Sequence, residues 1–131
     1  MNFSTENTLL DTLGIKLTGL DKNKVVASMP VDGRTQQIAG VLHGGASAAL
    51  LETVASIGSC LNIDMQKQEA FGIELNISHL KSIADGSVIA EAIPERLGRT
   101  LHVWQVKIFD SSDTKKIIAA GRCTVFVRSK S

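Results

Sequence analysis

The chain reads as an α+β domain in which an antiparallel sheet wraps around one long central helix. Three observations predict this: a glycine-opened apolar stretch, Gly40–Ile63, with helical periodicity; one strand-like run ahead of it; and four strand-like runs after it, separated by turn signals. With 131 residues the chain makes a single domain, residues 1–131, and a domain of this size buries enough surface to need no disulfide or metal staple.

Taken in order, Thr5 or Asn7 is positioned to cap a short helix carrying Leu9, Leu10 and Leu13 and ending at Gly14. Lys24 to Val31 is a β-branched run closed by Asp32-Gly33, with Pro30 marking its end. Next comes a helix of roughly 18 residues, whose apolar stripe at 100° per residue is Ala46, Ala49, Leu50, Thr53, Val54, Ile57, Cys60 and Leu61. Its other face, Ala48, Glu52, Ala55, Ser56 and Ser59, is mostly small, so close packing on both sides is expected. After a polar link at Asp64 to Glu69, strands are expected over Ala70–Ile83, Ser87–Arg96, Thr100–Phe109 and Lys116–Val127. Asp85-Gly86 is expected to join the first two as a hairpin, Gly98 the next two, and a polar loop at Asp110–Thr114 the last two.

Composition removes several classes of function. Fourteen Lys plus Arg against thirteen Asp plus Glu leave a net charge of +1, so no global field draws nucleic acid or an anionic membrane. Five aromatic residues (one Trp, four Phe) offer few stacking platforms for bases. The stretch from Thr35 to Ile63 holds a single charge, but Gln36, Gln37, His43, glycines and several serines interrupt it, making it a poor membrane span. Cys60 and Cys123 show no CxxC spacing, and His43, His79 and His102 show no metal-ligand spacing, so neither a disulfide scaffold nor a metal site is expected. The first fourteen residues lack a basic n-region and an apolar h-region, and the expected compartment is the reducing cytoplasm. Phosphate-loop and GxSxG motifs are absent.

The chemistry-bearing feature is Glu52, the only formal charge between Arg34 and Asp64. A carboxylate on an otherwise uncharged helix costs free energy unless it is hydrogen-bonded, solvated or protonated, which marks it for a task, although a glutamate facing water meets the same spacing. Ser56, one turn later, can hydrogen-bond that carboxylate or a bound water, or simply pack. His43-Gly44-Gly45 opens the helix with unobstructed backbone N–H groups that favour negative charge, such as a developing oxyanion; a tight loop entry is the other use of such glycines.

At this point GVLHGGASAALLETVAS, GIELNISHLKSI and PERLGRTLHVWQVKIFD together resemble the hotdog-fold acyl-CoA thioesterases. The similarity is to the phenylacetate-pathway and 4-hydroxybenzoyl-CoA thioesterase branch, which includes bacterial 1,4-dihydroxy-2-naphthoyl-CoA thioesterases of menaquinone synthesis, and it spans about residues 8 to 128. The resemblance implies dimers, often paired into tetramers, with active sites at subunit interfaces. It also implies Glu52 as general base or nucleophile, Gly44 or Gly45 as donor to the thioester oxygen, Gln37 and His43 positioning thioester or water, and Ser56 orienting water. For coenzyme A the resembling positions are Gly72, His79-Leu80-Lys81-Ser82, and Arg96-Leu97-Gly98-Arg99-Thr100-Leu101. Lys81, Arg96 and Arg99 would then form a local cationic patch for phosphates. The expected function is hydrolysis of an acyl-CoA, aromatic or hydroxyaromatic in its acyl group, to free acid and CoA without metal or redox cofactor. The rivals are a hydratase or dehydratase of acyl thioesters on the same fold, and a non-catalytic acyl-CoA-binding module.

Overall fold

A computed structural model describes residues 3–131. In chain order the elements are α1 (Leu9–Leu13), β1 (Lys16–Asp21), β2 (Lys24–Pro30), α2 (Gly44–Leu61), β3 (Gln68–His79), β4 (Ser87–Leu97), β5 (Leu101–Asp110) and β6 (Asp113–Ser129). The six strands form one sheet in the order β1-β2-β4-β5-β6-β3, every neighbouring pair antiparallel, and α2 lies against it with contacts to all six strands. This is the helix-wrapping sheet expected from the sequence.

Four local expectations are corrected. The cap of α1 is Thr8, not Thr5 or Asn7; its hydroxyl donates back to the Thr5 carbonyl rather than capping, and Asn7 takes a left-handed φ of 60° that turns the chain in. Gly14, at φ 74°, closes the helix as expected. The second correction is β1, which was not expected: it is short, carries Gly19 beside a bulge, and has no fully buried residue, so its apolar signal is weak.

The third concerns connectivity. β3 and β4 are not a hairpin: β3 pairs with β6 along its whole length, from Gln68 opposite Ser129 to His79 opposite Ala119. The strand ends at His79 rather than Ile83, and residues 80–86 cross to the other half of the sheet, held by Leu42 N–H to Ile83 O (2.8 Å) and Val31 N–H to Gly86 O (2.9 Å). Gly86, at φ +79°, supplies the turn, but both edges of β4 are already taken by β2 and β5. Asp-Gly reports the backbone twist, not the partner.

The fourth concerns the face of α2. Its buried residues are Ala46, Ser47, Leu50, Leu51, Val54, Ala55, Gly58 and Ser59, a stripe rotated by about 100° from the expected one. Ala55 and Ser59 are therefore core, whereas Ala49, Thr53, Ile57 and Cys60 are half open. Small residues face the sheet because the sheet comes close: a Cβ added at Gly58 would lie 2.5 Å from the Trp104 ring. Leu50, Leu51 and Val54 are fully buried against Val25, Met29, Val88, Val106 and Val125, each contributing roughly 1.5–3 kcal/mol. The helix has the length and apolarity of a membrane span, and it spends them on this core.

Candidate active site

Two clefts flank α2. At its N-terminal end Gln37, Leu42, Gly44, Ser47, His79, Leu80, Lys81, Ser82 and Ile118 line a cleft of about 310 Å³. The His79 ring sits over Gly44, where an added Cβ would come within 2.7 Å of Nε2, so glycine is needed for this approach. His43 is the N-cap, its Nδ1 accepting from Gly45 N–H at 2.7 Å. That bond uses the Gly45 donor. Gly44 N–H has no protein acceptor among the described residues and remains the free donor at the positive end of the helix. Gln37 sits in a tight loop, its side-chain oxygen accepting from Ala39 N–H, its own N–H bonded to Val41 O, and Gly40 at φ +83° making the turn.

The second cleft, about 350 Å³, is lined by Leu9, Leu10, Ala49, Glu52, Thr53, Ser56 and Ile57. Glu52 is exposed, forms no ion pair among the described residues, and lies against β3: a Cβ at Gly72 would meet its Oε2 at 2.8 Å. Beneath it, burial pushes the Cys123 thiol up to about 12, with repulsion from Glu52 and Glu74 adding to the effect. Ser56 shares this cleft with Glu52, as the spacing predicts.

Within one chain the predicted residues therefore form two half-sites. Eight residues separate Gly44 from Glu52, roughly 12 Å along the helix. The expected cationic patch does not form within one chain either. His79-Leu80-Lys81-Ser82 starts at the last residue of β3, beside Ala119, whereas Arg96-Leu97-Gly98-Arg99-Thr100-Leu101 spans the β4–β5 turn beside Phe126. Seven residues of β6 separate the two, roughly 23 Å. Lys81, Arg96 and Arg99 form no ion pairs among the described residues.

One cluster was missed. Trp104 Nε1–H donates to Ser59 Oγ at 2.8 Å, and the same oxygen lies 2.8 Å from His102 Nδ1, all three residues being buried. Burial lowers the His102 pKa from its ordinary 6.5, and a hydrogen bond to the Gly98 backbone opposes it. The signal was the strand parity of LHVWQV, which puts His102, Trp104 and Val106 together on the core face. Ser47, now seen lining the first cleft, had no sequence signal beyond small size.

Comparison with known proteins places this geometry. Residues 39–117 match the family model of the Thioesterase superfamily. The 1,4-dihydroxy-2-naphthoyl-CoA hydrolase of Listeria monocytogenes is 38% identical over 122 residues, covering 93% of this chain and 97% of its own. The proofreading thioesterase EntH of Klebsiella pneumoniae is 43% identical over 110 residues, covering 84% of this chain and 80% of its own. The crystal structure of thioesterase PA1618 from Pseudomonas aeruginosa, solved as a glutamine-to-alanine variant, has a TM-score of 0.92 at 37% identity and covers 96% of this chain and 89% of that one. An open carboxylate and a free helix-terminal donor, both on the one helix that the sheet wraps, thus sit in a chain that belongs to the thioesterase superfamily, with the hotdog fold.

Proposed function

We propose that the chain hydrolyses acyl-CoA thioesters with aromatic or hydroxyaromatic acyl groups, 1,4-dihydroxy-2-naphthoyl-CoA and phenylacetyl-CoA derivatives being the leading candidates. The observation that carries the reading is Glu52: an unpaired carboxylate at a cleft, with Ser56 one turn on, in a thioesterase-superfamily chain. Glu52 takes a proton from water, or attacks the carbonyl itself; Gly44 N–H, with Gly45 behind it, polarises the thioester oxygen; Gln37 and His43 position the thioester, and Ser56 the water. Water adds to the carbonyl carbon, the C–S bond breaks, and the thiolate takes up a proton to leave as CoA. No metal or redox cofactor is needed.

Two half-sites call for two copies of the chain. β3 is a sheet edge of 12 residues with exposed Phe71 and Ile73, and exposed Leu80 follows its end, which supports antiparallel pairing with the same strand of a second copy. Antiparallel pairing sets opposite ends side by side, so Lys81 of one copy would approach the Arg96–Leu101 turn of the other. Such a dimer, alone or doubled into a tetramer, would gather the residues that a single chain separates.

The test is thiol release from a panel of aromatic and aliphatic acyl-CoAs by wild type and Glu52→Ala. Loss of an acid–base carboxylate lowers the rate on the order of 10²–10⁴-fold. No release from any acyl-CoA by folded wild type, or an unimpaired Glu52→Ala, overturns the proposal; an enoyl or hydroxyacyl product instead of free thiol indicates hydration chemistry.

A further inference from the structure

α1 is too short to stand on its own. It has five residues, its N-cap Thr8 makes no side-chain capping bond, and none of its residues is fully buried. Tertiary contacts hold it instead. Leu10 and Leu13 pack against the core, and the N–H of buried Ile15 donates to Leu10 O at 2.8 Å, which ties down the end of the helix. Gly14 lies against Pro30 and Arg34, where an added Cβ would be 2.9 Å from the Pro30 ring and 2.7 Å from Arg34 Nη1.

This anchoring leaves one apolar side chain of α1 without a place in the core. Leu9 is 58% exposed, yet it lines the cleft that holds Glu52 and Ser56. A lone exposed leucine is ordinary, but this one shares a cleft of about 350 Å³, the size of a small-ligand site, with an unpaired carboxylate. Leu9 and Leu10 form the α1 wall of that cleft, and Ala49 and Ile57 continue it on α2. Thr53 adds no donor, because its hydroxyl donates to Ala49 O at 2.7 Å. The wall therefore offers apolar contact and no hydrogen-bond donor, which suits the hydrocarbon part of an acyl group and not the amide-rich arm of CoA.

We propose that Leu9 is a specificity-determining residue: from α1 it closes the Glu52 cleft and sorts acyl-CoAs by the apolar bulk of the acyl group. The inference rests on the reading of Glu52 as the catalytic carboxylate. Leu9 touches no reacting atom, and an apolar wall binds substrate and transition state alike, so its contribution falls on KM rather than on kcat.

The test measures kcat and KM by thiol release for the bulkiest and the smallest acyl group of the panel that wild type hydrolyses. The proteins are wild type, Leu9→Ala, Leu9→Met and, as control, Leu20→Ala, which removes an exposed leucine outside the cleft. Leu9→Ala is expected to melt with wild type and to raise KM for the bulky substrate about tenfold relative to the small one, the scale of bulk lost from a hydrophobic pocket. Leu9→Met, nearly equal in volume, keeps the wild-type preference, as does Leu20→Ala. If wild type releases no thiol from any acyl-CoA, or Glu52→Ala is unimpaired, the reading of the site falls and this inference with it. If Glu52→Ala is inactive while folded Leu9→Ala keeps the wild-type preference, the role of Leu9 falls and the hydrolase reading stands. A loss of kcat alike for both substrates would make Leu9 a support for Glu52, and a melting temperature well below wild type would make it a structural residue; either overturns the proposal.

Discussion

The Glu52 carboxylate rests on Gly72, with Oε2 2.8 Å from where a methyl group on that glycine would stand. The absence of a side chain at one point of β3 lets a residue on α2 lie along the sheet.

Replacing Gly72 by alanine therefore tests position rather than chemistry. The new methyl meets the far end of a flexible side chain, so Glu52 swings aside at little cost to folding. The expected outcome is an unchanged melting temperature with kcat for acyl-CoA hydrolysis reduced on the order of tenfold or more, read by thiol release. A variant that melts normally and keeps full kcat would show that catalysis tolerates a displaced carboxylate.

Gly58→Ala acts on the core instead. The added Cβ would press on the Trp104 ring at 2.5 Å, and the ring is pinned by its bond to Ser59. Overpacking of this kind costs about 1–3 kcal/mol, visible as a melting temperature lower by several degrees. The control is Gly33→Ala, where nothing lies within 4 Å of the added atom and little change is expected.

Stability should also fall on mild acidification. Burial lowers the pKa of His102 in the folded protein, whereas in the unfolded chain the ring titrates near its ordinary 6.5. Below that value the unfolded state binds more protons, so the His102 contribution is complete above about pH 6.5 and is lost as pH falls toward the depressed folded value. Asp32, Glu95 and Asp110, lowered by their hydrogen bonds, act in a separate and more acidic window. Melting curves from pH 8 to 5 should show the decline in wild type, flattened in His102→Gln; parallel curves for the two proteins would exclude His102 as the source.

The central helix was legible because its glycine entry, its lack of charge and its single glutamate are all local features. Glu52 and Ser56 fall in one cleft because i and i+4 positions share a face whatever surrounds them. Which face of α2 is buried was not legible: hydrophobicity ranks Ile57 and Leu61 above Ser47, Gly58 and Ser59, but the close sheet selects for size. Nor was the partner of β3, since Asp85-Gly86 is the same dipeptide whether its strands pair or part. Lys81 and Arg96 are both near strand ends, and only the sheet order reveals that the ends are opposite ones. His102 was passed over because it was judged against metal-ligand spacings, whereas its parity with Trp104 carried the information.

The placement of β6 has a bearing on how the molecule is made. It is the last strand of the sequence, yet it lies between β5 and β3 and pairs with both. A ribosome releases β3 some 45 residues before the strand that will hold it. Throughout that interval Phe71, Ile73, Leu75 and Ile77 wait without their one strand neighbour, and the sheet can be completed only after β6 has emerged. Contacts so distant along the chain make for slow folding, and a chain stalled before β6 would expose a ready-made surface for aggregation.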